Sequence, residues 1–534
     1  MTDKGFVFHH PLAFWSGCAL LVAGVASHLP MLAMAGHAHW RLAGMPMTPG
    51  MWAGMAMILL GLGLAFHGLM PRLAGMPRAP QLVGTHGFHL ADGVPLNRAH
   101  WLLVFALVVA LAVDVMKPAT LGFVLPGLSL EYGIATPTAG WLALSALTGT
   151  TVGSVLWGRL GDRFGRRAAI LLSALMFMGT AICGAMPEFG WNLAMCFLMG
   201  ASAGGLLPIA FTLLAETVPA RHRGWLLVML GGIGTSAGYL LAAGAAAVLE
   251  PRYGWRVLWL LGLPTGATIL LLQRWIPESP RFLASAGLED RARAVLRRFA
   301  GRDAAALEAD AASPPPPLVD ERHPVADARQ LLRGRHAPIT WGLLVCGLAW
   351  GLANFGFLLW LPVNLVALGV PQPEASALLA RAALLALPGI ALVVWLYHRW
   401  SSIRALVLFI AGSALVMAAL GAMGLLGVRA PDAVLAATAL LLVGISGVIA
   451  MLIPYAAEIY PVRLRGTGSG VVAASSKAGG ILGAGLGVLG FFGHFALSAL
   501  AIAFALGCSA WLLLRSGIET RGERLEDIEA ALAD

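Results

Sequence analysis

Long apolar runs separated by short polar segments dominate the chain. A transmembrane helix needs about 20 mostly apolar residues, and windows of that length pick out two runs before residue 100, six between residues 101 and 275, and six between residues 338 and 515. In chain order they are residues 12–35, 51–70, 101–128, 139–157, 168–187, 191–218, 225–249, 256–275, 338–366, 374–397, 403–427, 432–459, 469–491 and 495–515. The pattern predicts an all-α polytopic membrane protein with fourteen transmembrane helices.

The composition agrees with a membrane protein and excludes two other classes. Hydrophobic residues make up 59% of the chain and charged residues only 11%, whereas soluble proteins carry about 25% charged residues. So few charged groups cannot cover the surface of a soluble enzyme, and so apolar a chain cannot be intrinsically disordered. The first apolar run has no clear cleavage site, so we expect no cleavable signal peptide.

The net charge of +9 arises mostly from arginines in the polar segments. Excess arginine marks cytoplasmic loops, and the arginine-rich segments fall on one side of the predicted helices. With an even number of helices, this pattern predicts that both termini are cytoplasmic, in a bacterial inner membrane. The positive charge therefore orients the helices in the lipid bilayer and does not indicate a nucleic-acid partner.

Polar segments also divide the chain into five predicted parts. These are a two-helix extension with its connector (1–100), a first six-helix bundle (101–275), a cytoplasmic linker (276–337), a second six-helix bundle (338–515) and a cytoplasmic tail (516–534). Within the linker, Leu288–Ala300 has helical spacing with acidic residues first and arginines last, as the helix dipole favours. Two bundles joined by a linker are typical of secondary transporters built from repeats.

A motif rich in glycine and arginine follows the second helix of the first bundle. It reads Gly158-Arg-Leu-Gly161-Asp162-Arg163-Phe-Gly165-Arg166-Arg167. Its glycines allow a tight turn and close helix contact. Its charged side chains can pair with each other and with helix ends.

A second motif, A-E-x-x-P-x-R-x-R-G, occurs once in each bundle, at residues 215–224 and 457–466. Its repetition supports an internal duplication. The two motifs together give the candidate gating residues, which are Gly158, Gly161, Asp162, Arg163, Gly165, Arg166, Glu216, Arg221, Arg223, Glu458, Arg463 and Arg465.

These motifs, with Pro277-Glu-Ser-Pro-Arg281 after the sixth core helix, resemble those of the major facilitator superfamily. The resemblance covers about residues 100–515 and is closest to the metabolite:proton and aromatic-acid:proton symporters and the sugar porters. It implies two bundles that alternate access to a substrate site midway through the membrane, with cytoplasmic charge clusters as gates. Two departures stand out: Cys196 replaces an arginine that relatives often have, and His398–Arg404 is a degraded second copy of the first motif.

Ionisable residues inside predicted membrane helices suggest function because they are costly there. Asp114 and Lys117 lie one turn apart in the first core helix, and Arg381 and Lys477 lie in the eighth and eleventh. The excess of cations predicts an anionic substrate such as a carboxylate, with Asp114 as a proton or cation site and Lys117 as an anion contact. Three alternatives stay open: Asp114 and Lys117 neutralise each other, Arg381 extends outwards, and Lys477 pairs with a helix end.

Asn354 in the seventh core helix, with its neighbours Trp350 and Phe355, is a further candidate for a substrate cavity. Any one of these side chains can equally serve packing.

The N-terminal extension is unusually rich in histidine and methionine, with nine of the 14 histidines and ten of the 20 methionines in the first 100 residues. Imidazole and thioether groups bind Cu(I). Copper transport is therefore an alternative function, with His28, Met31, His37, His39, Met47 and Met51 as candidate ligands. No defined metal motif is present, and the leading interpretation includes no metal or other cofactor.

The sequence favours a transporter over an enzyme, since it contains no phosphate loop, nucleophile elbow or zinc-site spacing. The leading interpretation is a monomeric secondary transporter that moves a small organic anion with protons by alternating access. Export of drugs or metabolites is the other alternative.

Overall fold

The structure is a computed structural model that describes residues 10–36, 40–69, 94–285, 288–300, 331–332, 336–367, 370–427, 431–460 and 465–520. Within these ranges it contains fourteen helices long and apolar enough to cross a membrane, and no strand. We number them α1 (Pro11–Ala35), α2 (Pro49–Leu69), α3 (Arg98–Tyr132), α4 (Thr136–Gly161), α5 (Arg166–Ala185), α6 (Phe189–Thr217), α7 (Arg221–Tyr253), α8 (Val257–Trp275), α9 (His336–Val366), α10 (Gln372–Arg399), α11 (Ser402–Leu426), α12 (Asp432–Ala456), α13 (Gly470–Val488) and α14 (Phe495–Ser516). The predicted fold class and helix number are confirmed.

The predicted linker helix is also present, over Glu289–Ala300, after a short helix at Pro280–Ser285. Its residues Ala292 and Val295 pack against Leu283 and Leu288. Between residues 301 and 335 of the predicted linker, the structure describes only Leu331 and Leu332.

The two helices of the N-terminal extension pack closely because glycines face each other. A Cβ atom added at Gly17 of α1 would lie 2.6 Å from the Gly61 carbonyl oxygen of α2, and one at Gly61 would lie 2.7 Å from the Gly17 carbonyl oxygen. Small residues allow such approach of helix backbones in membranes. Ile58 of α2 in turn contacts Gly179 of α5, since a Cβ added at Gly179 would lie 2.9 Å from the Ile58 Cγ2 atom. The extension is therefore packed against the transport core.

By packing, the chain forms two compact units. Unit 1 comprises residues 1–117, 148–226 and 252–318, and unit 2 comprises residues 118–147, 227–251 and 319–534. Three helices, α3, α4 and α7, contribute residues to both units. This division by contacts differs from the division by sequence position, and the two six-helix bundles joined by a linker stay a prediction.

Candidate functional site

Asp114 and Lys117 form an ion pair on α3, in unit 1. The Lys117 Nζ atom lies 3.5 Å from Asp114 Oδ1, and the two side chains are 0% and 8% exposed, respectively. The same ammonium lies 3.8 Å from the ring centroid of Phe177 on α5, where the face of the ring attracts a cation. The pair is thus neutral and lies out of water, as expected for the alternative in which the two charges neutralise each other.

The other predicted membrane-embedded residues lie in unit 2. Lys477 on α13 and Asn354 on α9 are half-buried, and Arg381 on α10 is exposed. The roles of these three residues in substrate binding stay predictions. Asn354 lies in a stretch of wider π-helical turn over Leu352–Leu358, a feature that is frequent at functional sites.

Two aromatic rings accompany Asn354 and Lys477 where α9 packs on α13. Trp350 and Phe355 meet edge to face, with centroids 5.8 Å apart and planes at 90°. The Phe355 ring lies on Gly480 of α13, where an added Cβ would lie 2.8 Å from its Cδ2 atom. Lys477 precedes Gly480 by one helical turn, and Asn354 directly precedes Phe355, so a cation and an amide flank this contact along the chain. We call Trp350, Asn354, Phe355 and Lys477 the α9–α13 group.

At the start of α5, Glu278 accepts hydrogen bonds from two backbone N–H groups that have no partner within the helix. Its carboxylate oxygens lie 2.7 Å from the Arg166 nitrogen and 3.3 Å from the Arg167 nitrogen. The preceding Gly165 has a φ of +106°, and a Cβ there would lie 2.3 Å from Glu278 Oε2. Only glycine fits both the backbone conformation and the space. Burial raises the pKa of Glu278 to about 7.

Glu216 of α6 joins this cluster in unit 1. It pairs with the Arg166 guanidinium at 3.5 Å and accepts a hydrogen bond from the Ser279 hydroxyl. The Arg166 guanidinium also donates to the Gly161 carbonyl oxygen at 3.2 Å. The glycine- and arginine-rich motif and the first copy of the A-E-x-x-P-x-R-x-R-G motif therefore meet at one place in unit 1.

Unit 2 contains a matching cluster at the start of α11. Glu519 accepts hydrogen bonds from the Ser402 N–H at 2.9 Å and the Ser402 hydroxyl at 2.6 Å. The Thr520 hydroxyl donates to Glu458 at 2.6 Å, and the Tyr397 hydroxyl donates to the same carboxylate at 3.0 Å. Burial raises the pKa of Glu458. Glu519-Thr520 thus occupies the place in unit 2 that Glu278-Ser279 occupies in unit 1.

Three helices of unit 2 are joined at the ends predicted to be external. The Gln372 side-chain amide at the start of α10 donates to the Glu250 carboxylate of α7 and, at 3.4 Å, to the Phe123 carbonyl oxygen of α3. Nearby, α3 approaches α9 so closely that a Cβ on Gly122 would lie 2.4 Å from the Leu359 carbonyl oxygen. We call the Gln372, Glu250 and Phe123 contact the outer latch.

The residues of the copper alternative are only partly described. His28, Met31 and Met51 are buried and Met47 is half-buried, whereas His37 and His39 lie outside the described residues. The His28 Nδ1 atom donates to the Gly24 carbonyl oxygen at 2.9 Å. Among the described residues no group of three or more His, Cys, Asp or Glu side chains is placed to hold a metal ion. The copper alternative stays a prediction.

Comparison with known proteins identifies the family of the chain. The sequence model of the major facilitator superfamily matches residues 101–484. The chain belongs to that superfamily. It is 30% identical over 437 residues to a 4-hydroxybenzoate transporter of Pseudomonas aeruginosa, covering 78% of this chain and 93% of the relative. The resemblance inferred from the motifs is confirmed.

Further relatives within the superfamily are also named as transporters. A niacin transporter of Acinetobacter baylyi is 26% identical, covering 82% of this chain and 98% of the relative. A gallate transporter of Pseudomonas putida is 27% identical, covering 80% and 95%. Among solved structures, the proton:xylose symporter XylE bound to 6-bromo-6-deoxy-D-glucose has a TM-score of 0.64 at 18% identity, covering 81% of this chain and 99% of that one. The protein is therefore a membrane transporter and not an enzyme.

Several predicted gating residues of this facilitator have side chains that lie outside the clusters or outside the described residues. Gly158 is half-buried, Arg163 and Arg221 are exposed, and Arg223 is half-buried. The side chains of Asp162 and Arg465 and the whole of Arg463 lie outside the described residues. Their gating role stays a prediction.

The sequence reasoning missed the capping acids Glu278 and Glu519. The available signal was a Glu followed by Ser or Thr shortly after the last helix of each bundle, at Glu278-Ser279 and Glu519-Thr520. Glu278 lies within the Pro277-Glu-Ser-Pro-Arg281 motif, but the motif alone does not indicate that it caps α5. Glu519 lies in none of the motifs described above.

Proposed function

We propose that this facilitator is a proton-coupled transporter of small aromatic carboxylates. The α9–α13 group is the observation that carries the proposal, because it combines a pair of aromatic rings on α9 with a cation on α13, the helix against which Phe355 packs. The relatives support the same substrate class, since they are named for niacin, gallate and 4-hydroxybenzoate. Each of these compounds is an aromatic ring that carries a carboxylate.

Each member of the α9–α13 group offers one kind of contact to such a substrate. Trp350 and Phe355 offer ring faces and edges, and aromatic pairs contribute about 0.5–1.5 kcal/mol beyond simple burial. The Lys477 ammonium suits the carboxylate, because charge-assisted hydrogen bonds are the stronger kind. The Asn354 amide can both donate and accept.

Asp114 is the proposed proton site. While Asp114 is ionised, its pair with Lys117 has no net charge. A proton on Asp114 removes the counter-charge, so the pair acquires a charge of +1 and Lys117 becomes available as an anion contact. Proton binding and anion binding then strengthen each other, as reciprocal linkage requires.

The coupled cycle follows from this linkage. The substrate and proton are released together when the access of the site changes sides. We propose that the protein carries out this cycle as a monomer in a bacterial inner membrane. The arginine distribution favours an orientation with both termini in the cytoplasm.

Uptake kinetics of a Lys477→Met variant test the substrate assignment. Loss of a hydrogen bond to a charged group costs about 1.5–3 kcal/mol, so the KM for 4-hydroxybenzoate in proteoliposomes should rise roughly tenfold to a hundredfold. Arg381→Met is the matched control, because it removes an exposed cation of α10, and its KM should stay within about twofold. An unchanged KM for Lys477→Met, or an equal rise in both variants, argues against the α9–α13 group as the carboxylate site.

A further inference from the structure

Near the middle of α7, a buried tyrosine hydroxyl has no hydrogen-bond partner among the described residues. Tyr239 is 8% exposed, and its hydroxyl oxygen makes no hydrogen bond to any described residue. Nearly all buried polar groups in proteins are hydrogen-bonded, and each exception needs a physical reason. A transporter offers one reason, because a residue that binds substrate is left without its partner when the substrate leaves.

The surroundings of Tyr239 support a ligand contact. Its ring meets that of Phe123 on α3, with centroids 6.0 Å apart and planes at 59°. One helical turn earlier, the Ser236 hydroxyl lies 3.1 Å from the Ser446 hydroxyl of α12. Within unit 2, Tyr239 therefore has an aromatic ring against its own ring, and a pair of serine hydroxyls lies at the level of the preceding helical turn.

This set of hydroxyls connects to the α9–α13 group through α12. Ser446 follows Ile445, whose carbonyl oxygen accepts a hydrogen bond from the Trp350 indole at 2.9 Å. The contacts thus pass from Tyr239 and Ser236 on α7, through α12, to Trp350 on α9. Phe355, the ring partner of Trp350, packs on Gly480 of α13, and Lys477 lies one helical turn before Gly480 on that helix.

We propose that Tyr239 is a specificity residue that hydrogen-bonds a phenolic hydroxyl on the ring of the substrate. The assignment rests on the proposed function, because it concerns the polar substituent of an aromatic carboxylate. A tyrosine hydroxyl both donates and accepts, which suits a phenol. The substrate carboxylate is not a suitable partner at this position, since a buried carboxylate needs a cation, and the described cation of this series is Lys477.

The physical consequence is a preference for hydroxylated rings. A substrate without the hydroxyl leaves the buried Tyr239 oxygen unpaired throughout the cycle, and sites built around a substrate hydroxyl discriminate strongly against analogues that lack it. We expect 4-hydroxybenzoate to have a KM about tenfold or more below that of benzoate in the unaltered protein.

The test compares uptake of 4-hydroxybenzoate and benzoate by the unaltered protein and by Tyr239→Phe in proteoliposomes. Phenylalanine keeps the ring contact with Phe123, so folding should be preserved, and the melting temperature checks this. The variant should show a raised KM for 4-hydroxybenzoate and an unchanged KM for benzoate, so that the two values agree within about threefold. Tyr253→Phe is the matched control on the same helix, since Tyr253 is exposed and contacts Trp40; its preference should be unaltered.

Three results would overturn the assignment. The first is that the unaltered protein takes up the two acids with equal KM values, and the second is that Tyr239→Phe retains the preference for 4-hydroxybenzoate. In either case the proposed function stands and only the role of Tyr239 fails. If neither acid is taken up by the unaltered protein, the proposed function itself fails and the assignment fails with it.

Discussion

The buried pair of Asp114 and Lys117 gives a prediction whose size follows from its geometry. Unit charges 3.5 Å apart attract by about 5 kcal/mol at an effective dielectric constant of about 20. Replacing Lys117 by Met keeps an unbranched apolar chain and removes the ammonium, which leaves Asp114 buried without a counter-charge. Breaking one partner of a buried pair costs about 3–5 kcal/mol.

A double-mutant cycle measures this coupling directly. We expect Lys117→Met and Asp114→Asn each to lower the free energy of unfolding in detergent by about 3 kcal/mol or more. The double variant should recover most of that loss, since neither charge is left alone, and the coupling energy should be about 3–5 kcal/mol. Arg381→Met, which removes an exposed cation, should change stability by less than about 0.5 kcal/mol.

A coupling energy below about 1 kcal/mol, the range of exposed ion pairs, would contradict a strong buried pair. A double variant less stable than both single variants would also contradict it, because the two charges would then not act as one unit. Either result would remove the basis for treating Asp114 and Lys117 as a single proton-binding element.

Three further predictions concern the Glu278 cap of α5 and the outer latch. Gly165→Ala places a Cβ 2.3 Å from Glu278 Oε2 at a φ of +106°. It should lower the free energy of unfolding by about 1–3 kcal/mol. Gly158→Ala is the control and should not lower it, because a Cβ added there meets nothing within 4 Å. The pKa of Glu278 rises from its ordinary 4.5 to about 7 in the folded protein, so ionisation disfavours the folded state. Stability should therefore fall as pH rises from 4.5 to about 7 and level off above that, with a loss of about 1 kcal/mol between pH 6 and 7; a thermal unfolding series should lose this slope in Glu278→Gln. Gln372→Ala leaves the Glu250 carboxylate without its donor and should lower the free energy of unfolding by about 1–3 kcal/mol.

Each of these has an outcome that counts against it. Equal melting temperatures for the two glycine variants would mean that the tight contact at Gly165 relaxes freely. A pH slope that persists in Glu278→Gln would assign the titration to another group. Full stability in Gln372→Ala would show that water replaces the amide in the outer latch.

The fold could be predicted from sequence because membrane helices are specified locally. Each span of about 20 apolar residues must form its backbone hydrogen bonds within itself, so the number and order of helices follow from hydropathy alone. The one-turn spacing of Asp114 and Lys117 likewise predicted that the two charges share a helix face. Their contact was therefore within reach of sequence reasoning.

Partners from distant parts of the chain could not be predicted in this way. Glu278 caps a helix that starts 112 residues earlier at Arg166, and no local spacing relates the two. The Phe177 ring over Lys117 depends on how α5 packs against α3. Whether the Tyr239 hydroxyl has a hydrogen-bond partner depends on the side chains that other helices place beside it. A tyrosine in an apolar run has the same sequence signature with or without such a partner.

The central claim is proton-driven transport of an aromatic carboxylate. The most direct measurement is uptake of labelled 4-hydroxybenzoate into proteoliposomes with an imposed pH gradient, acid outside and alkaline inside. We expect accumulation above the external concentration, collapse when a protonophore dissipates the gradient, and no accumulation with Asp114→Asn. Uptake that only equilibrates, or accumulation that is the same without the gradient and with Asp114→Asn, would contradict it.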